Sequence, residues 1–193
     1  MREFVWSDFY KLTKDRPPWP RLVAAVDLLG RVGEALDLGC GAGRDTRYLL
    51  ARGFVVTAVD REAASFAALA DLSTTHLCLV QAAFEDFSFA HYDLVNAHFS
   101  LPFTHRDQFA QVFARLKASL KPDGIFVGQF LGVNDTWNTP ENFMTFFTVP
   151  QAHAQLEGLE ILEFTEEDQD GATADGTRKH WHVYHITARR PDA

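Results

Sequence analysis

The sequence predicts an α/β fold: a three-layer sandwich around a mostly parallel seven-stranded sheet with an antiparallel C-terminal strand. Three observations carry that prediction. Short, continuous apolar runs at 34–39, 54–60, 76–82, 92–100 and 125–131 alternate with helix-length amphipathic segments. Unbroken apolar runs mark strands buried on both faces, and the intervening helices supply parallel crossovers. After residue 131 the pattern changes. "LEILEFTEE" and "KHWHVYHITARR" read as two strands joined by about a dozen polar residues, which implies an antiparallel end hairpin. At 193 residues the chain is expected to be a single domain, with 1–33 a helical cap and 34–193 the sheet-containing core.

The elements follow in order. From about residue 3 to 15, Phe4, Trp6, Phe9 and Tyr10 recur at helical spacing, and "RPPWP" ends the segment because proline removes donors. "RLVAAVDLLGRVG" reads as an amphipathic helix closed by Gly33. "EALDLG" is a short strand, "GRDTRYLLARG" a helix ending at Gly53, and "FVVTAVD" a β-branched strand ending at Asp60. "REAASFAALADL" is an Ala-rich helix. "HLCLVQA" and "YDLVNAHFS" are the third and fourth strands. "RDQFAQVFARLKASL" is a helix with Phe109, Val112, Phe113 and Leu116 on one face. "KPDG" is a turn and "IFVGQFL" the fifth strand. "GVNDTWNTPENFMTFF" is loop-like, and "VPQAHAQLEG" a short helix.

Charge and cysteine content narrow the function classes. The net charge is −8, with no Lys/Arg stripe to offset it. Such a chain lacks the basic footprint that phosphate backbones and anionic membranes require, so neither nucleic acid nor a membrane is expected as partner. Cys40 and Cys78 belong to no C-x-x-C motif and read as reduced thiols of a cytoplasmic protein. "MREFVWSDFYKLTKDRPPWP" lacks the apolar core of a signal peptide, and no run approaches membrane-spanning length.

The stretch "LDLGCGAGRDTRYLLARGFVVTAVD" places Gly39, Gly41 and Gly43 at alternate positions between a strand and a helix. A dinucleotide fingerprint needs a third glycine where Arg44 stands, and a phosphate loop needs a G-K-[ST] ending that "GRDT" lacks. S-adenosylmethionine has no phosphate. It asks for close backbone approach, a carboxylate near its ammonium and a carboxylate for its ribose hydroxyls. Asp37 before the turn and Asp60 ending the second strand occupy those places.

These residues resemble a known family. "ALDLGCGAGRD" is similar to the first motif of class I S-adenosylmethionine-dependent methyltransferases, "VVTAVD" to their second-strand acidic motif, and "LKPDGIFV" to the turn entering their fifth strand. Within that class, "GAGRDTRYLLARG" and "KHWHVYHITARR", with the N-terminal "WSDFYK", resemble the tellurite-resistance and thiopurine group of small-molecule enzymes. The resemblance implies a Rossmann-like sheet and S-adenosyl-L-methionine as cofactor, leaving as S-adenosyl-L-homocysteine. Asp37, Gly39, Cys40, Gly41, Gly43, Asp60, Arg61, Phe84, Glu85, Ala97 and His98 are the expected cofactor contacts. It further implies a small-molecule acceptor, such as a thiol or chalcogen oxyanion, and a monomer or homodimer. One departure stands out. The family often places an Asp for the adenine amino group where this chain has Ala83, so Glu85 or Asp86 is expected to substitute.

Methyl transfer to a good nucleophile depends on alignment and water exclusion more than on any fixed catalytic side chain. His98, in "NAHFSLPFTH", is the candidate base, or else a pocket wall. Asn96 with Phe99 faintly resembles an amine-methylating motif, but its prolines are missing, and Asn96 stands too soon after Asp93 to end the strand. Trp6, Tyr10, Trp19, Phe99, Phe103 and His105, together with Phe9 and Trp137, are candidates for an aromatic acceptor pocket. His180 and His182 share one face of the last strand, opposite Trp181, Val183 and His185. No carboxylate is expected in register with the two histidines, so no metal is expected. "EEDQDGATADG" reads as a solvated connection. A cofactor-binding protein without turnover and a Rossmann oxidoreductase remain as alternatives.

Overall fold

A computed structural model describes residues 6–72 and 74–192 of the chain. Phe4, expected at the start of the first helix, lies outside the described residues. The elements run α1 (Trp6–Thr13), α2 (Pro20–Leu29), β1 (Glu34–Leu38), α3 (Arg44–Ala51), β2 (Val55–Asp60), α4 (Ala63–Ala68), β3 (Leu77–Gln81), β4 (Tyr92–Ala97), α5 (Arg106–Ser119), β5 (Leu120–Gly132), β6 (Phe146–Phe147), α6 (Val149–Gln155), β7 (Glu160–Ala172) and β8 (Arg178–Arg189).

Seven strands form one sheet in the order β3-β2-β1-β4-β5-β8-β7, and the two-residue β6 pairs with β5 as an eighth. β8 is antiparallel to both its neighbours, and the other pairings are parallel. The strand order reverses between β1 and β4. That reversal opens a crevice at their carboxyl ends, where α/β sheets bind ligands.

Strand alternation divides the core between two faces. Leu36, Leu38, Val95, Phe126 and Phe130 meet α5 and α6 on one face, joined by Phe109, Phe113 and Phe147. Phe109 lies edge-on to Phe130 and Phe147 at 5.4 and 5.0 Å between centroids. Ala35, Val56, Ala58, Leu94 and Val127 meet Leu22, Val26 and Leu49 on the other face. Each face is thus closed by helices, as parallel strands require.

Local chemistry sets the boundaries. Pro20 opens α2, where its missing N–H is harmless. α2 closes at Gly30, whose φ of 66° is a left-handed cap, and not at Gly33. Gly33 has another constraint: a Cβ there would lie 2.2 Å from the Asp93 carboxylate. "KPDG" is a kink inside β5, with Asp123 at φ 58° and a register shift opposite β4. The largest departure from the sequence reading is the acidic stretch. β7 continues through it to Ala172, so the connection is short and a long hairpin arm projects from the sheet. Across this arm Asp168 faces His182 and Asp170 faces His180, which relieves the carboxylate charge that suggested a loop.

Candidate active site

The glycine turn leaves β1 at the sheet reversal. Gly39, Gly41 and Gly43 have φ of 79°, 52° and 79°, a left-handed path that side chains rarely follow. Gly39 also needs the space: a Cβ there would lie 2.3 Å from Ser100 Cβ. Gly43 is a packing glycine, because a Cβ there would lie 2.0 Å from Leu69 Cδ2.

The two expected acids flank this turn. Asp60 accepts from the Gly41 and Glu62 backbone N–H groups at 2.9 and 3.0 Å, and from the Tyr10 hydroxyl at 3.4 Å. Burial raises its pKa above the ordinary carboxylate range. Asp37 accepts from Thr46 Oγ1 at 2.5 Å and from Asn96 Nδ2 at 2.8 Å. Burial, with the nearby Asp45 charge, pushes Asp37 up to about 7. The same Asn96 nitrogen donates to Asp45 Oδ2 at 3.1 Å, and the Trp19 N–H donates to Asp45 Oδ1 at 3.1 Å. Asn96 Oδ1 faces His98 Nδ1. Desolvation, with Arg44, His185 and Arg21 nearby, holds His98 well below the usual histidine range, so its ring is neutral.

A cavity of about 630 Å³ lies over the turn. That volume falls within the roughly 300–1,000 Å³ of small-molecule sites. Its floor is Asp37, Gly39, Cys40, Gly41 and Asp60, with Arg61, Phe84, Glu85 and His98 beside it. Aromatic rings continue around it in sequence. Trp19 meets Phe99 at 5.1 Å between centroids, Phe99 meets Trp181 at 5.8 Å, and Trp181 meets Trp137 at 5.4 Å. Trp137 meets Phe103 at 6.3 Å, Phe103 meets Trp6 at 5.2 Å, and Trp6 meets Tyr10 at 6.1 Å. The hairpin arm completes the wall with Ala172, Thr173, Asp175 and Thr177.

Three residues expected at the site lie off the cavity wall. Gly43 backs onto Leu69, and Ala97 is fully buried in the sheet. His105 caps α5, accepting the Asp107 N–H at 3.3 Å, and stacks on Phe143. Of the two substitutes for the missing adenine acid, Glu85 lines the cavity and Asp86 does not. Asn96 also departs from expectation. β4 stops at Ala97, and Phe99 turns the chain at φ 49°, so Asn96 is the penultimate strand residue, directly opposite Asp37. Trp181 carried a signal in the alternation of β8. Asn96 and Asp45 carried none, because their partners are set by sheet register.

The expectation that no carboxylate stands in register with His180 and His182 is corrected. Glu166, Asp168 and His182 place one ligand-type atom each within 4.8 Å of one another. His182 is nevertheless poorly set to ligate. Its Nδ1 accepts the Asn134 N–H at 3.0 Å, so in the neutral ring Nε2 carries the proton and points it at Glu166, at 2.8 Å. Elsewhere on the arm, the Lys179 ammonium is buried 2.5 Å from Asp135, over the rings of Trp137 and Trp181 at 3.6 and 3.7 Å. It fixes two rings of the cavity wall.

Residues 35–124 match a family of methyltransferase domains. The structure superposes on the 1,6-didemethyltoxoflavin-N1-methyltransferase of Burkholderia thailandensis, solved with bound 1,6-didemethyltoxoflavin and S-adenosylhomocysteine. That match has a TM-score of 0.72 at 25% identity, covering 96% of this chain and 81% of that one. TehB from Haemophilus influenzae gives a TM-score of 0.77 at 21% identity, covering 96% and 67%. The N-methyltransferase NodS of Bradyrhizobium japonicum, bound to S-adenosylhomocysteine, gives 0.69 at 19%, covering 97% and 99%. No curated protein sequence matches significantly. These matches support a class I S-adenosylmethionine-dependent methyltransferase. It resembles the TehB-like, small-molecule group of that class. Its cofactor is S-adenosylmethionine, and the positive-φ glycine cradle flanked by two buried acids fits that group. Among the described residues no helix is long and apolar enough to cross a membrane.

Proposed function

We propose that the enzyme methylates a small soft nucleophile, a thiol or a chalcogen oxyanion, within the aromatic cavity. S-adenosylmethionine supplies a methyl group made electrophilic by the adjoining sulfonium. Asp60 takes the ribose hydroxyls, since a carboxylate has about four lone-pair sites and its third donor, Tyr10, lies at a long 3.4 Å. Phe84 stacks on the adenine and Glu85 receives its amino group. Asp37 holds the ammonium end.

Trp19, Phe99, Phe103, Trp137 and Trp181 form the acceptor wall. Their work is to orient the acceptor and exclude water, the main protein contribution to a displacement with a good leaving group. Electron-rich ring faces also steady positive charge at the reacting centre. The single observation that carries the reading is the continuity of this ring wall with the Asp60 and Gly41 cradle around one cavity. A cavity walled by α1 and the arm tip suits a small acceptor better than a polymer.

A panel assay tests the reading. Labelled methyl transfer is measured against thiols, tellurite, amines and carboxylates. Transfer to a thiol or tellurite supports it. Transfer only to amines or carboxylates would replace the acceptor class.

A further inference from the structure

We propose that Asn96 is a positioning residue of this site, locking His98 into the tautomer that presents its lone pair at Nε2 to an acceptor carrying an ionisable hydrogen. The proposal rests on the reading that the acceptor occupies the cavity His98 lines, and it narrows the acceptor class. Within the thiol and chalcogen-oxyanion class, an acceptor that still carries an S–H or O–H hydrogen is favoured over a fully deprotonated oxyanion.

Asn96 is 1% exposed, and its amide nitrogen faces two carboxylates, Asp37 Oδ1 at 2.8 Å and Asp45 Oδ2 at 3.1 Å. Carboxylate oxygens accept, so the nitrogen must face them and the orientation of the amide is fixed. Its oxygen therefore faces His98 Nδ1. An amide oxygen only accepts, so Nδ1 must carry the proton. In a neutral imidazole that leaves the lone pair on Nε2.

Nε2 is buried and has no protein hydrogen-bond partner among the described residues. His98 itself belongs to the cavity wall, and Trp19 lies parallel to its ring at 11°. The groups that act on the ring come from every neighbouring element. Arg21 of α2, Arg44 of α3 and His185 of β8 oppose its protonation, while Asp37 of β1 and Asp45 of α3 reach it through Asn96. His185 repeats the pattern. Its Nε2 faces Glu167 at 3.0 Å, which leaves Nδ1 as a second buried lone pair without a partner. His185 does not line the cavity, so the His98 lone pair is the one beside the acceptor, and it calls for a hydrogen donor.

The test is made on the whole chain with ¹⁵N-labelled histidine. Two-bond ¹H–¹⁵N spectra distinguish the two ring nitrogens, and His98→Gln assigns the His98 signals by their loss. In the unmutated protein Nδ1 should be protonated and Nε2 bare; the opposite pattern overturns the assignment. In Asn96→Ala, Nε2–H should become populated and kcat should fall roughly 10- to 100-fold, while KM for the donor changes less. An unchanged tautomer in that variant overturns the role of Asn96. These spectra need no turnover, so they stand apart from the methyl-transfer reading. That reading fails separately, if the panel assay shows no transfer.

Discussion

Asp37→Asn separates what the buried acids do for stability from what they do for binding. Asp37 is 2% exposed, and its pKa stands near 7 against an ordinary 3.8. The folded state therefore keeps this proton longer than the unfolded state. The resulting stability is fully present below the unfolded value and is lost as pH rises through the folded one. A gap of about three pH units, at ~1.4 kcal/mol each, amounts to about 4 kcal/mol, shared with the coupled Asp45. Asparagine keeps the acceptor for Asn96 Nδ2. Its own nitrogen can donate to the Thr46 hydroxyl, which rotates to accept. Urea unfolding should find Asp37→Asn more stable than the parent by roughly 2–4 kcal/mol near pH 8, with the difference fading near pH 5. Affinity for S-adenosylmethionine should fall roughly 10- to 100-fold, since a charge-assisted contact is lost. A stability difference of equal size at both pH values would refute the reasoning.

Three further perturbations probe other links. Asp60→Ala leaves the Gly41 and Glu62 N–H groups without their acceptor, and calorimetry should show S-adenosylhomocysteine binding weakened at least ~10-fold. Gly43→Ala forces a Cβ onto Leu69 at positive φ, and thermal unfolding should report a loss of about 1–3 kcal/mol. Lys179→Met strands the fully buried Asp135 carboxylate, costing about 3–5 kcal/mol in urea unfolding. Adding Asp135→Asn should recover part of that loss, because the uncompensated charge is then gone and the amide oxygen still accepts one of the Trp137 and His182 N–H groups.

Much of this architecture was legible because its signals are local. The glycine turn, the acid ending β2 and the apolar face of α5 are each contained in one short stretch, and each stands where the pattern put it. The misread features depend on partners distant in sequence. "EEDQDGATADG" looked like a loop because its carboxylates repel one another along the chain. Across the arm, histidines answer them, and that pairing needs the register of β7 with β8. Asn96 looked misplaced because strand ends are hard to locate, whereas the register of β4 with β1 sets it against Asp37. His105 had the right neighbourhood for a pocket wall, but its imidazole is spent on the first turn of α5. Gly33 reads as a helix cap because it follows Gly30 closely, and only the backbone angle separates the two.

The measurement that bears most directly on the account is transfer of labelled methyl from S-adenosylmethionine into a cell extract, followed by separation by size. Label should appear in the low-molecular-weight fraction, and His98→Gln and Asp60→Ala should both reduce it. Label confined to protein or nucleic acid would contradict the small-acceptor cavity. No label in any fraction, despite tight S-adenosylhomocysteine binding, would contradict turnover itself.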